Sequence, residues 1–110
     1  MSRIAKIGSA VLQWDDKDPS EVLDYVADFS DAIPADDLIA SVVWTISPVT
    51  VPPLVKSQES FENGTKMVTV WLSGGLLNSD YTITCKVTTD SAPTARVVER
   101  DIGVNVRNLI

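Results

Sequence analysis

The sequence predicts an all-β fold, an antiparallel β-sandwich of about seven strands with an extended N-terminal arm. Three observations lead there. Apolar and polar residues alternate with a period of two over 81–89 and again over much of 96–107. Turn residues punctuate the chain at Asn63-Gly64 and at Asp90-Ser91-Ala92-Pro93-Thr94. Only one stretch, residues 18–29, supports a helical reading at all, so no second helix exists for it to pack against.

Residues 1–13 contain Ile4, Ile7, Val11 and Leu12 without a strand or helix period, and read as an arm preceding a sandwich domain of residues 14–110. The stretch 18–29 is divided locally. Asp18, Pro19 and Glu21 form a helix start with cap, first-turn proline and capping-box acid, and Val22, Val26, Phe29 and Ile33 follow a helical face. Leu23, Tyr25, Ala27 and Phe29 nevertheless alternate with Asp24 and Asp28 as a strand does. The surrounding strands favour the strand reading, with a helical turn allowed near Pro19.

Leu38 to Ile46 is a β-branched run bounded by Asp36-Asp37 and Pro48, and reads as a central strand containing a core tryptophan, Trp44. Residues 49–55 include Pro52 and Pro53, which donate nothing to a ladder, so this stretch is at best an edge strand. The runs 59–62 and 65–72 flank Asn63-Gly64, the signature of a hairpin closed by a type I′ turn. Tyr81, Ile83, Cys85 and Val87 share one face of the next strand, against Thr82, Thr84, Lys86 and Thr88. In the last strand Val98, Ile102, Val104 and Val106 share a face that Arg100 interrupts, which predicts a bend or bulge there. The last two strands read as a C-terminal hairpin.

Composition narrows the function. The chain has 110 residues, net charge −6 and 45% hydrophobic residues, enough for one small domain and a single core. Residues 1–40 carry three basic and nine acidic side chains, whereas residues 41–110 carry six of each. This balance repels nucleic-acid phosphates, so no nucleic-acid partner is expected. No apolar run approaches the length of a bilayer, and the basic N-terminus lacks the apolar stretch of a secretory signal, so no membrane association is expected. Histidine is absent and cysteine occurs once. The commonest general base and metal ligand are therefore missing, and no internal disulfide can form, which suits assembly in a reducing cytoplasm.

Candidate chemical features have simpler readings. Cys85 alternates with apolar residues and reads as a small buried hydrophobe. Asp15-Asp16-Lys17-Asp18 and Asp36-Asp37 lack the spacing of a calcium loop, and Asp18 and Asp36 have capping or turn roles available. Asn63-Gly64-Thr65 matches a glycosylation sequon but is explained by the hairpin turn. Ser73-Gly74-Gly75 lacks the lysine and helix of a phosphate loop and reads as a flexible strand end. No catalytic residue, cofactor or metal site is assigned, and the chain is expected not to be an enzyme.

Several stretches, taken in order, resemble a known family. Trp14-Asp-Asp-Lys-Asp-Pro-Ser-Glu-Val-Leu-Asp-Tyr25 and Asp37-Leu-Ile-Ala-Ser41 precede Trp71-Leu-Ser-Gly-Gly75, a threonine-rich strand opened by Tyr81, and a final strand from Arg96 to Val106. This is similar to small tailed-phage and prophage virion proteins of the fibre–tail adaptor type. The resemblance implies an immunoglobulin-like sandwich, no catalysis, and a place in the tail, neck or fibre attachment of the virion, after assembly in the host cytoplasm. The chain departs from the pattern at Leu76-Leu77-Asn78-Ser79-Asp80, where a small-residue loop with another glycine is expected, and around Phe29, which lacks a tryptophan often found there.

The expected function is docking to other phage structural proteins, tail, neck or fibre subunits, in a homo-oligomeric ring. The contact candidates are the arm residues Ile4, Ile7, Val11 and Leu12, then Trp14, and the loop residues Leu76 and Leu77. Trp14 has an equal claim as a plug for the open end of the sandwich. The alternatives are a head-decoration protein, or a carbohydrate- or cell-surface-binding module, which would need exposed coplanar aromatics. A small hydrolase is weakest, since neither histidine nor a cleft is available.

Overall fold

The computed structural model describes residues 2–109. Its strands are β1 (Ile4–Lys6), β2 (Val22–Asp28), β3 (Ile39–Ser47), β4 (Leu54–Glu62), β5 (Met67–Gly74), β6 (Asp80–Thr89) and β7 (Val97–Asn105). They form two sheets, β1-β2-β5-β4 and β3-β6-β7. That is the strand order of a constant-type immunoglobulin sandwich. β1 departs from it by running parallel to β2, with Ile4 opposite Val26. No helix occurs among the described residues.

Period-two patterning builds the core. From one sheet Tyr25, Ala27, Val68, Val70 and Leu72 point inward, and from the other Trp44, Ile83, Cys85, Val87, Ile102 and Val104. Residues 18–29 resolve as a turn followed by a strand. Glu21 Oε1 accepts from Asp18 N at 2.8 Å and Asp18 Oδ1 accepts from Ser20 N at 2.9 Å, so the helix-start hydrogen bonds do form. They close a tight turn rather than a helix, because burying Tyr25, Ala27 and Phe29 together requires alternation.

Four expectations are corrected. First, β3 is an edge strand, not a central one; β6 lies at the centre of its sheet. β3's run of β-branched residues matches an edge that buries only one face, and Val43 on the other is exposed. Second, Asn63-Gly64 is not a two-residue type I′ turn. The β4–β5 loop has four residues, closed by Lys66 N donating to Glu62 O at 2.9 Å, and the positive φ of 61° falls on Lys66. Asn63 is instead held by β3, accepting from Ile39 N at 2.7 Å. Third, the β6–β7 register runs without a shift through Arg100, which stands opposite Cys85. Arg100 needs no bulge because its side chain bends out to solvent and donates to Glu99 O at 2.8 Å.

The fourth correction concerns residues 1–13. Their described part packs onto the sandwich and does not stand off as an arm. β1 extends one sheet, burying Ala5 and Ile7. The chain then crosses to the other sheet, where Gly103 N donates to Leu12 O at 3.0 Å and Trp14 N to Gly103 O at 2.9 Å. Gln13 lies so close over Gly103 that a side chain there would collide with its carboxamide.

Trp14 joins the two layers. It is fully buried, its ring lies 5.1 Å from Tyr25 and 6.1 Å from Trp44, and its Nε1–H donates to Val26 O at 2.9 Å. One side chain thus touches β2 of one sheet and β3 of the other. Replacing Trp14 with Ala is expected to cost about 3–5 kcal/mol, as for other large buried aromatics. Urea unfolding followed by far-UV circular dichroism would read this as a lowered midpoint at unchanged slope.

Candidate docking surface

One end of the sandwich carries an uncharged apolar tip. Residues 48–53, between β3 and β4, and residues 75–79, between β5 and β6, contain no charged side chain. Val49 and Val51 are 90% and 89% exposed, and Leu76 and Leu77 are 37% and 45% exposed. The sequence pointed to Leu76 and Leu77 but passed over Val49 and Val51. The missed signal was their position between Pro48 and Pro52-Pro53, where valines cannot be strand-core residues.

A single hydroxyl holds these loops together. Tyr81, at the start of β6, accepts a hydrogen bond from Leu76 N at 2.9 Å and bonds Thr50 Oγ1 at 2.5 Å. The Thr50 hydroxyl also meets Pro52 O at 2.8 Å, so Tyr81 is the donor of the shared bond. This is the arrangement of the tyrosine corner of immunoglobulin-like folds, where a tyrosine at this position ties its hydroxyl to upstream backbone. Gly74 and Gly75, with φ of 69° and 102°, bring the second loop against the first, and Gly75 N donates to Pro53 O at 2.9 Å. A Cβ on Gly74 would stand 2.9 Å from that same oxygen. The strand end read as flexible is a fixed corner.

Lys17 braces the corner from beneath. It is buried, and its ammonium donates to Gly74 O at 2.7 Å and Asp18 O at 2.9 Å. Desolvation lowers its pKa from the ordinary lysine value, while Glu21 and Asp18 oppose the shift. Asn78 N donates to Val106 O at 2.8 Å and Val106 N to Ser79 O at 2.9 Å, tying the loop to the end of β7.

The remaining contact candidates lie elsewhere. Ile4, on β1, is half exposed, and Val11, in the crossing between sheets, is 77% exposed. Leu12 packs partly against the core. Ile7 and Trp14 are core residues with no surface to offer. Trp14, Tyr25, Phe29, Trp44 and Tyr81 are all buried, so the exposed aromatic platform needed for carbohydrate binding is not built from them.

Asp18 and Asp37, from the two acidic clusters, are engaged locally. Asp18 accepts from Ser20 N, Ser20 Oγ and Leu109 N, with Ser20 N the largest of the influences that lower its pKa. For Asp37 burial pushes the pKa up, but the Arg96 guanidinium at 2.7 Å, with Thr89 and Leu38 N, brings it below the usual value. Among the described residues no three acidic, histidine or cysteine side chains are grouped to hold a metal ion.

A family model described as Podophage GP4 fiber-tail adaptor protein gp77 matches residues 17–105. The chain belongs to that family. The match spans β2 to β7, and leaves β1 and Trp14 outside it. No curated protein and no solved structure matches the chain. This fiber-tail adaptor is thus a phage structural protein on an all-β sandwich, as the resemblance implied.

Burial pushes the Cys85 thiol and the Tyr25 hydroxyl each up to about 12. Cys85 should therefore resist a thiol reagent at pH 8 in the native protein and react stoichiometrically in denaturant. Both groups are held neutral by the fold. Their contribution to stability is complete below pH 9 and is lost as pH rises from 9 toward 12. Lys17 acts in the opposite sense just below its ordinary value of 10.5, where the unfolded chain binds more protons. Urea midpoints between pH 8 and 12 should fall, and should fall more steeply in Lys17→Met. Tyr81→Phe should cost about 1–3 kcal/mol by leaving Leu76 N unpaired, measured in the same way at pH 7.

Proposed function

We propose that this adaptor works by rigid docking, with the tip formed by Val49, Val51, Leu76 and Leu77 seated against a neighbouring tail or fibre subunit. The observation that carries this reading is the tip itself: four exposed apolar side chains on two uncharged loops, clamped by one buried tyrosine hydroxyl. Exposed apolar side chains grouped in this way mark contact sites, and clamping spares the entropy of ordering loops on association. Ile4 and Val11 supply a secondary contact along the side of the sandwich.

Copies are arranged as a closed ring in the virion, assembled in the host cytoplasm. What supports a ring is the role of an adaptor between fibre and tail, since closed assemblies reuse one interface. The role is geometric and non-enzymatic. Its parts are a rigid core, one apolar end, and an opposite end carrying Asp31, Asp36, Asp37 and Asp90, on a molecule about 47 Å long.

Quantitative mass spectrometry of purified particles tests the placement. A low, fixed ratio to the major capsid protein is the expected result, whereas a ratio near one would mean head decoration. Leu76→Asp combined with Leu77→Asp should leave the melting temperature within a few degrees and lower incorporation at least tenfold. Normal incorporation of that variant would remove the tip from the interface.

A further inference from the structure

The two open sheets, four strands against three, have four edges. Three of them are protected in ways that discourage strand pairing. β1 is only three residues long. β4 is bulged between Ser57 and Ser60, with Gln58 at φ 49°, and carries Lys56, Glu59 and Glu62. The edge of β7 is covered by residues 12–17, through Trp14 N and Leu12 O on Gly103 and through Lys17 on Asn105 and Arg107. β3 differs. Over nine residues it has no charge and no proline, and its only irregularity lies at its start, between Ile39 and Ser41.

The space beside β3 is already shaped for a strand. β4 is exposed along its length after Leu54, so it overhangs the smaller sheet rather than lying covered by it. Beneath the overhang is a cleft of about 360 Å³ lined by Val42, Trp44, Glu59, Ser60 and Phe61. The buried Trp44 Nε1–H has no acceptor among the described residues. At the start of β3 the Asn63 carboxamide accepts from Ile39 N at 2.7 Å and faces Ile39 O at 3.4 Å. A side-chain amide thus stands where the next strand's peptide would be, and beyond it no strand follows.

We infer that the free edge of β3 receives one extended segment donated by another virion subunit, which completes the smaller sheet as its fourth strand. The inference rests on the adaptor reading and adds a second contact to it. Backbone hydrogen bonds to β3 supply the affinity, as in other cases of strand addition. The segment's alternate side chains are apolar, to meet Val42, the Trp44 ring and Phe61. A basic residue among them faces Glu59, whose carboxylate also meets Lys56 at 3.2 Å. A second copy of this chain is a poor occupant, because its own β4 and Asn63 would be carried into the space they already fill here.

Hydrogen exchange read residue by residue tests this on the unmodified chain, free and within purified particles. In the free chain the outward amides of Ser41–Ser47 should exchange fast. In the particle they should gain roughly tenfold or more in protection, while β4 and the exposed part of β7 change little. Presence in the particle without added protection on β3 overturns the donated strand and leaves the adaptor reading standing. Absence from the particle overturns both. Protection that rises with concentration of the free chain, together with a dimer mass, makes a second copy the occupant and overturns the choice made here. Val42→Lys should melt like the parent, since Val42 is only half-buried, and incorporate at least tenfold less. Unchanged incorporation of that variant also overturns the proposal.

Discussion

The fold depends on a tryptophan that belongs to no strand. An immunoglobulin-like sandwich must stop its two sheets from sliding or parting, and many such domains use a disulfide between them. With one cysteine, this chain cannot. Trp14 does the work through several bonds at once: its backbone N–H on β7, its indole N–H on β2, and its ring against Tyr25 and Trp44. Gly103 is part of the same device, since only a residue without a side chain lets the segment carrying Gln13 and Trp14 pass so close.

That brace frees the ends and edges for other uses. The tip around Tyr81 is rigid because the strands below it are fixed, and its exposed valines and leucines can therefore be presented without an ordering cost at contact. The unequal sheets follow from the same topology. The chain passes from β3 directly into the opposite sheet as β4, and so leaves β3 without an outer neighbour. A structural adaptor needs surfaces facing different partners, and the tip and the bare edge are distinct in both position and chemistry.

The sheet strands after residue 20 were largely legible because alternation is a local property. Tyr81, Ile83, Cys85 and Val87 announce their strand and its buried face, and even the divided stretch 18–29 followed the burial of Tyr25, Ala27 and Phe29. The proposed contact residues were legible only in part. Leu76 and Leu77 are conspicuous as apolar neighbours in a loop. Val49 and Val51 are not, because their meaning comes from Thr50 bonding to Tyr81, thirty-one residues later. Ile7 misled for the same reason, and Trp14 stayed divided between contact and plug, since the burial of both depends on both sheets being in place.

Which segments extend, which face of each is apolar, and that the core must hold without a disulfide can all be read along the chain. Those follow from side-chain period and composition, which need no partner. Tertiary structure decided which strand becomes an edge, where the first residues lie, and which loops meet at the tip. These are matters of pairing between distant segments. An edge strand and a central one share the same local pattern, and differ only in whether another backbone arrives to satisfy the outer row of amides and carbonyls.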